Sequence, residues 1–120
     1  MGYIRHHAIV VTSQLHSRIN TARQKAIELG MTVTSIADEV TNGYLSFLVA
    51  PDGSKEGWEE SAAGDERRAA FKEWLRSQEY EDGSSPFSWV EVMYGDDAGG
   101  VEIVDDDAAL LRLSREENGK

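Results

Sequence analysis

Three clusters of residues in this 120-residue chain carry side chains able to do chemistry. The first is Arg5-His6-His7. Histidine titrates near neutrality and can act as a general base, here with a carboxylate such as Glu91. Neighbours on a strand point to opposite faces, so His6 and His7 cannot converge on one ligand. His7 is followed by Ala8 and Ile9, which breaks the His-x-Thr/Ser pattern of two-histidine phosphoesterases. The second cluster is Thr12-Ser13-Gln14, with Arg18 one helical turn further on. Free N–H groups and the positive end of a helix dipole can hold a phosphate or carboxylate there. Ser13 is equally the expected N-cap of that helix. The third is the loop Pro51-Asp52-Gly53-Ser54-Lys55-Glu56-Gly57-Trp58. Its Ser54, Lys55 and Trp58 suit a small ligand, but the glycines of a P-loop do not precede the lysine. The weak ligand set is therefore Arg5, His6, His7, Ser13, Arg18, Ser54, Lys55 and Trp58. There is no cysteine, and the acidic runs 96–97 and 105–107 lack the alternation of an EF-hand, so neither a metal nor a cofactor is expected.

Periodicity supplies the elements that must position these groups. Residues 3–12 read as a strand dense in β-branched residues at its end. Leu15, Ile19, Ala22, Ala26 and Leu29 then recur at helical spacing, and Gly30 stands where a C-cap glycine belongs. Residues 31–40 and 44–50 read as two strands joined at Asn42-Gly43, a strong hairpin signal. A second helix is expected from Asp65 to Gln78. Its Arg67, Arg68, Lys72 and Arg76, interleaved with acids, read as a solvated face. Residues 87–94 form a fourth strand, and 101–104 add an edge strand.

That order predicts an α+β domain of ferredoxin-like βαββαβ type, an antiparallel sheet with two helices on one face. One domain is expected over 1–106, with a partly flexible tail over 107–120. Leu45, Phe47, Val49, Val90 and Val92 are assigned to the core. Tyr44, Leu48, Phe87, Trp89 and Met93 then fall on the uncovered face. So apolar a face calls for cover, and a homodimer through it is expected, with Leu110, Leu111 and Leu113 of the tail as the competing lid.

Charge narrows the partners. The net charge is −10. Residues 1–50 hold four basic and three acidic side chains, and residues 51–120 hold eight and nineteen. The second half repels a phosphate backbone or an anionic membrane, so neither nucleic acid nor a membrane is an expected partner. A local anion site remains feasible in the first half. With no apolar leader and no long apolar run, a cytoplasmic protein is expected.

Four blocks carry a resemblance: residues 3–13, Asn42 to Phe47, Pro51 to Trp58, and Trp89 to Asp97. They look like blocks of small uncharacterised proteins encoded by tailed bacteriophages, including actinobacterial phages, and together span 3–97. The resemblance implies a phage accessory protein in the host cytoplasm and carries no particular activity. Together with the small size, the apolar open sheet face and the lack of a catalytic constellation, it leads to the expectation of non-catalytic binding of a host protein or a small anionic signalling ligand, a route to antagonising host defence. A small His-dependent hydrolase or isomerase, and a virion or assembly component, are the alternatives.

Overall fold

The computed structural model describes residues 6–38, 42–52, 59–95 and 101–107. The elements are β1 (His6–Ser13), α1 (His16–Glu28), β2 (Ala37–Asp38), β3 (Leu45–Val49), α2 (Glu59–Ser77), β4 (Ser88–Tyr94) and β5 (Glu102–Asp106). They build an α+β fold. Five antiparallel strands lie in the order β2-β3-β1-β4-β5, and the helices pack on one face, an arrangement compatible with a ferredoxin-like sandwich.

Local chemistry explains the secure elements. Ile19, Ala22 and Ala26 form the buried stripe of α1. Gly30, at φ +85°, takes the left-handed conformation that ends the helix. Asn42 (φ 67°) and Gly43 (φ 69°) are both left-handed, as a two-residue hairpin turn requires.

β2 is far shorter than the expected 31–40. Thr34 N–H donates to Leu48 O, but Leu48 N–H goes to the Thr34 hydroxyl (2.9 Å) instead of a backbone carbonyl. The Thr34 carbonyl is taken by Arg23 Nε at 2.8 Å. A side chain thus replaces a ladder bond, and pairing shrinks to a bridge at Val33–Val49 and the two residues Ala37–Asp38. The second helix starts six residues before the expected Asp65.

The core lies between the sheet and the helices. Ile9 and Val11 of β1, Leu45, Phe47 and Val49 of β3, and Phe71 and Leu75 of α2 are buried there. Full burial of such side chains contributes about 1.5–3 kcal/mol each. Trp74 stacks on Phe71 and tilts against Phe87, closing one side of the core.

The facing of β4 is the reverse of the expectation. Trp89 stands opposite Val11 and Glu91 opposite Ile9, so both share the helix-covered face. Phe87 and Trp89 are buried in the core, and Met93 follows the same phase. Val90 and Val92, expected inside, take the open face. The period-2 pattern holds; burial of the large Phe87 and Trp89 rings carries Glu91 inward, where the cations of α2 pair with it. Of the expected open-face set, Leu48 alone is on that face of a strand, while Tyr44 precedes β3.

Candidate functional site

β1 carries candidate groups at its two ends. From His7 to Ser13 are six strand steps of about 3.3 Å, so the ends stand about 20 Å apart. No single small ligand joins them.

At the His7 end, an ion network lies beneath α2. Glu91 and Asp105 face one another across β4 and β5, and both turn toward the helix. Arg68, Lys72 and Arg76 recur every four residues and therefore share one side of α2. Lys72 Nζ donates to Glu91 Oε1 at 2.6 Å and lies 3.2 Å from Asp105 Oδ2. Arg76 donates to Asp105 Oδ1 at 2.7 Å, with its guanidinium 4.9 Å above the Trp89 ring. Arg68 Nε lies 3.5 Å from Glu91 Oε2. Its other nitrogens pair with Asp65 of the same helix and reach Asp52 at 3.9 Å. His7 Nδ1 stands 3.4 Å from Glu91 Oε2.

Arg68 is 7% exposed and Glu91 3%. The expected solvated face of α2 is thus corrected: three of its four cations are drawn onto the sheet, because buried carboxylates need partners. Burial pushes the Asp105 carboxyl up, but hydrogen bonds from Arg76 and Lys72 and their charges outweigh it, so the group titrates below its ordinary value. A spaced basic row on one helix and a lone acid inside an apolar strand were the sequence signals for this network.

At the Ser13 end, a cleft of about 320 Å³ opens beside the first turn of α1. Thr12, Ser13, Gln14, Tyr44, Tyr80 and Ser88 are among its lining. Ser13 does not cap the helix as expected. Its hydroxyl accepts from Leu15 N–H at 3.1 Å, Leu15 takes the N-cap position, and no side chain caps the helix. Helix geometry leaves the first-turn N–H groups of His16, Ser17 and Arg18 without intrahelical acceptors. Gln14 Nε2 donates to Asn42 O (3.1 Å), tying this turn to the hairpin that carries Tyr44.

Tyr80 is placed by its own turn. Its N–H donates to Ser84 O at 2.7 Å, while Ser84 donates its hydroxyl and N–H to Asp82 Oδ1 at 2.6 and 2.9 Å. Those two bonds, the hydroxyl's first, hold the Asp82 carboxyl below its ordinary value. The Arg18 guanidinium lies 6.0 Å from the centre of the Tyr80 ring; Tyr80 lines the cleft and Arg18 does not. Tyr80 and Ser88 escaped the sequence reading because β4 pairing brings Ser88 opposite Thr12, far away along the chain.

Other hollows suit a ligand less well. One of about 50 Å³ between Gly30, Val49, Gly64 and Arg68 holds little more than water. A groove of about 620 Å³ over Asn20, Arg23, Gln24 and Glu28 of α1, and one of about 300 Å³ between Leu29, Ala70, Glu73 and Trp74, are both more open than the Ser13 cleft.

The structure therefore puts Ser13 in one site, with Arg18 outside its lining and near Tyr80, and His7 in another. His6 points away from His7, on the open face, with its ring 5.3 Å from that of Tyr94. Arg5, Ser54, Lys55 and Trp58 lie outside the described residues, as does most of the 107–120 tail. Among the described residues, no group of three or more His, Asp or Glu is placed to hold a metal ion. Among them, too, no helix is long and apolar enough to cross a membrane.

No family model matches the chain. No curated protein matches it either. Among solved structures, the adenylyl cyclase CyaB from P. aeruginosa aligns over 99% of this chain and 74% of that chain, at 15% identity and a TM-score of 0.25. A likeness so distant carries no argument about fold or activity.

Proposed function

We propose that this chain is a non-catalytic binding module, built on a ferredoxin-like sandwich with a fifth edge strand, that captures a small organic anion bearing a flat ring. The observation that supports it is the cleft at the uncapped start of α1, where hydroxyls and two tyrosines meet. A phosphate or carboxylate suits the first-turn N–H groups. A ring suits Tyr44 and Tyr80, since stacking on an aromatic side chain contributes about 1–3 kcal/mol. Nucleoside monophosphates have both parts. With the phage-like sequence blocks, this reading makes the chain an accessory protein that binds a host-cell small molecule.

Equilibrium dialysis of the full chain against a panel of nucleoside monophosphates tests the reading. Retention is expected, weakened about tenfold or more by Tyr80→Ala. No retention, or retention indifferent to Tyr80→Ala, contradicts it.

A second reading, general-base chemistry by His7, has one observation in its favour: the 3.4 Å approach of His7 to Glu91. Glu91 is already engaged by Lys72 and Arg68, which favours a structural role for the pair. Hydrolase substrates turned over by the wild type but not by His7→Gln would restore the catalytic reading.

A further inference from the structure

The face of the sheet opposite the helices has a composition unlike the rest of the chain. Register places Val10 of β1 between Leu48 of β3 and Val90 of β4. It places Val92 of β4 between Ala8 of β1 and Ile103 of β5. These six residues form a continuous apolar stripe across four strands. Val10 is 37% exposed and Ile103 67%, while Leu48, Val90 and Val92 are half-buried and Ala8 is buried. Beside the stripe stand uncharged pairs: Thr12 and Ser46, hydroxyl to hydroxyl at 2.8 Å, and the ring pair His6 and Tyr94.

Charge is nearly absent here among the described residues. Glu91 and Asp105 turn to the helix side, and Asp106, opposite Val90, is the one carboxylate that the pairing phase of β4 and β5 places on the open face. In a chain of net charge −10, this is where a second copy can approach without opposing rows of acids. The area also fits. The five strands hold 8, 2, 5, 7 and 5 residues, which at about 3.3 Å per residue and about 4.8 Å per strand give about 430 Å² of flat face. Two such faces give about 860 Å², and side-chain relief brings them to the lower end of the range, about 1,000–1,200 Å², where specific interfaces begin.

We infer that this chain forms a symmetric homodimer by packing these two open faces together. The sheets stack about 10 Å apart, with the Val10, Val90 and Val92 side chains interdigitating around the twofold axis. The dimer face adjoins the ligand cleft at Thr12 and Ser88, which line that cleft, but none of the six stripe residues belongs to its lining. This face replaces the contact set expected from the sequence, keeping Leu48 and exchanging Tyr44, Phe87, Trp89 and Met93 for Ala8, Val10, Val90, Val92 and Ile103.

Sedimentation velocity of the full chain, with Val10→Glu/Ile103→Glu as the variant, tests it. A mass twice 13.3 kDa is expected for the wild type. The variant is expected to run as a monomer with an unchanged far-ultraviolet circular dichroism spectrum. Should the double variant misfold, Val10→Thr, which keeps the β-branch, is expected to weaken the dimer measurably. A wild type that stays monomeric at high micromolar concentration overturns the inference; that is the outcome if the chain's own segment 108–120, with Leu110, Leu111 and Leu113, covers the face. A dimer that folded variants leave intact also overturns it, since the contact then lies elsewhere.

Discussion

Glu91 and Asp105 stand directly opposite one another across β4 and β5, and Lys72 reaches both carboxylates from the helix above. Two like charges at a cross-strand position repel. Here they are tolerated because one ammonium bridges them, with Arg68 and Arg76 on either side. The edge strand is thereby fastened to α2 by charge as well as by backbone pairing.

Removing the bridging cation leaves a buried carboxylate facing a second one. Lys72→Met is expected to lower stability by about 3 kcal/mol, measured by urea unfolding. In a double-mutant cycle, Lys72→Met and Glu91→Gln are expected to couple by about 1 kcal/mol or more. Strict additivity would mean that the contact contributes nothing.

Acid should loosen β5. The Asp105 carboxyl is depressed in the folded state below its ordinary 3.8, so the unfolded chain binds this proton first as pH falls. Its contribution is complete well above pH 3.8 and is lost as pH drops through the folded value. Asp105→Asn is expected to flatten the stability profile below about pH 5. Urea midpoints across that range check this. A variant profile parallel to the wild type's would count against the ion pairs with Arg76 and Lys72.

Gly64 of α2 touches Asp52 so closely that an added Cβ would collide with its carboxylate, and would press on Arg68 at 3.3 Å. Elsewhere in a helix, Gly→Ala stabilises by about 1 kcal/mol. The Asp52 carboxylate is a side-chain end that can turn aside, at the cost of its approach to Arg68, so Gly64→Ala is expected to stabilise less in the wild-type background than when Asp52 is Ala. Thermal unfolding of the four variants reads the difference.

The parts of the fold legible in the sequence were those fixed by near neighbours. The stripe of α1, the Gly30 terminus and the Asn42-Gly43 turn depend on residues within a few positions. The phase of β4 does not. Phe-Ser-Trp-Val-Glu-Val-Met-Tyr offers two apolar faces, Phe87/Trp89/Met93 and Val90/Val92. Glu91 lies on the face of Phe87 and Trp89, so local pattern favours Val90 and Val92 as the core. Burial of the Phe87 and Trp89 rings carries Glu91 inward, and Lys72, nineteen residues earlier, pairs with it there, which no local pattern reveals. The candidate site was half legible. Thr12, Ser13 and Gln14 mark a strand-to-helix turn, and Arg18 follows by helical spacing. Tyr80 and Ser88 arrive through the tertiary pairing of β1 with β4.

The most direct test of the binding role is an amide and aromatic NMR titration of the full chain with 5′-AMP, alongside adenosine and inorganic phosphate. AMP is expected to shift the His16, Ser17 and Arg18 N–H signals together with the Tyr44 and Tyr80 ring signals, and phosphate to shift the N–H signals alone. If millimolar AMP leaves all five residues unmoved, the cleft is not the anion site described above.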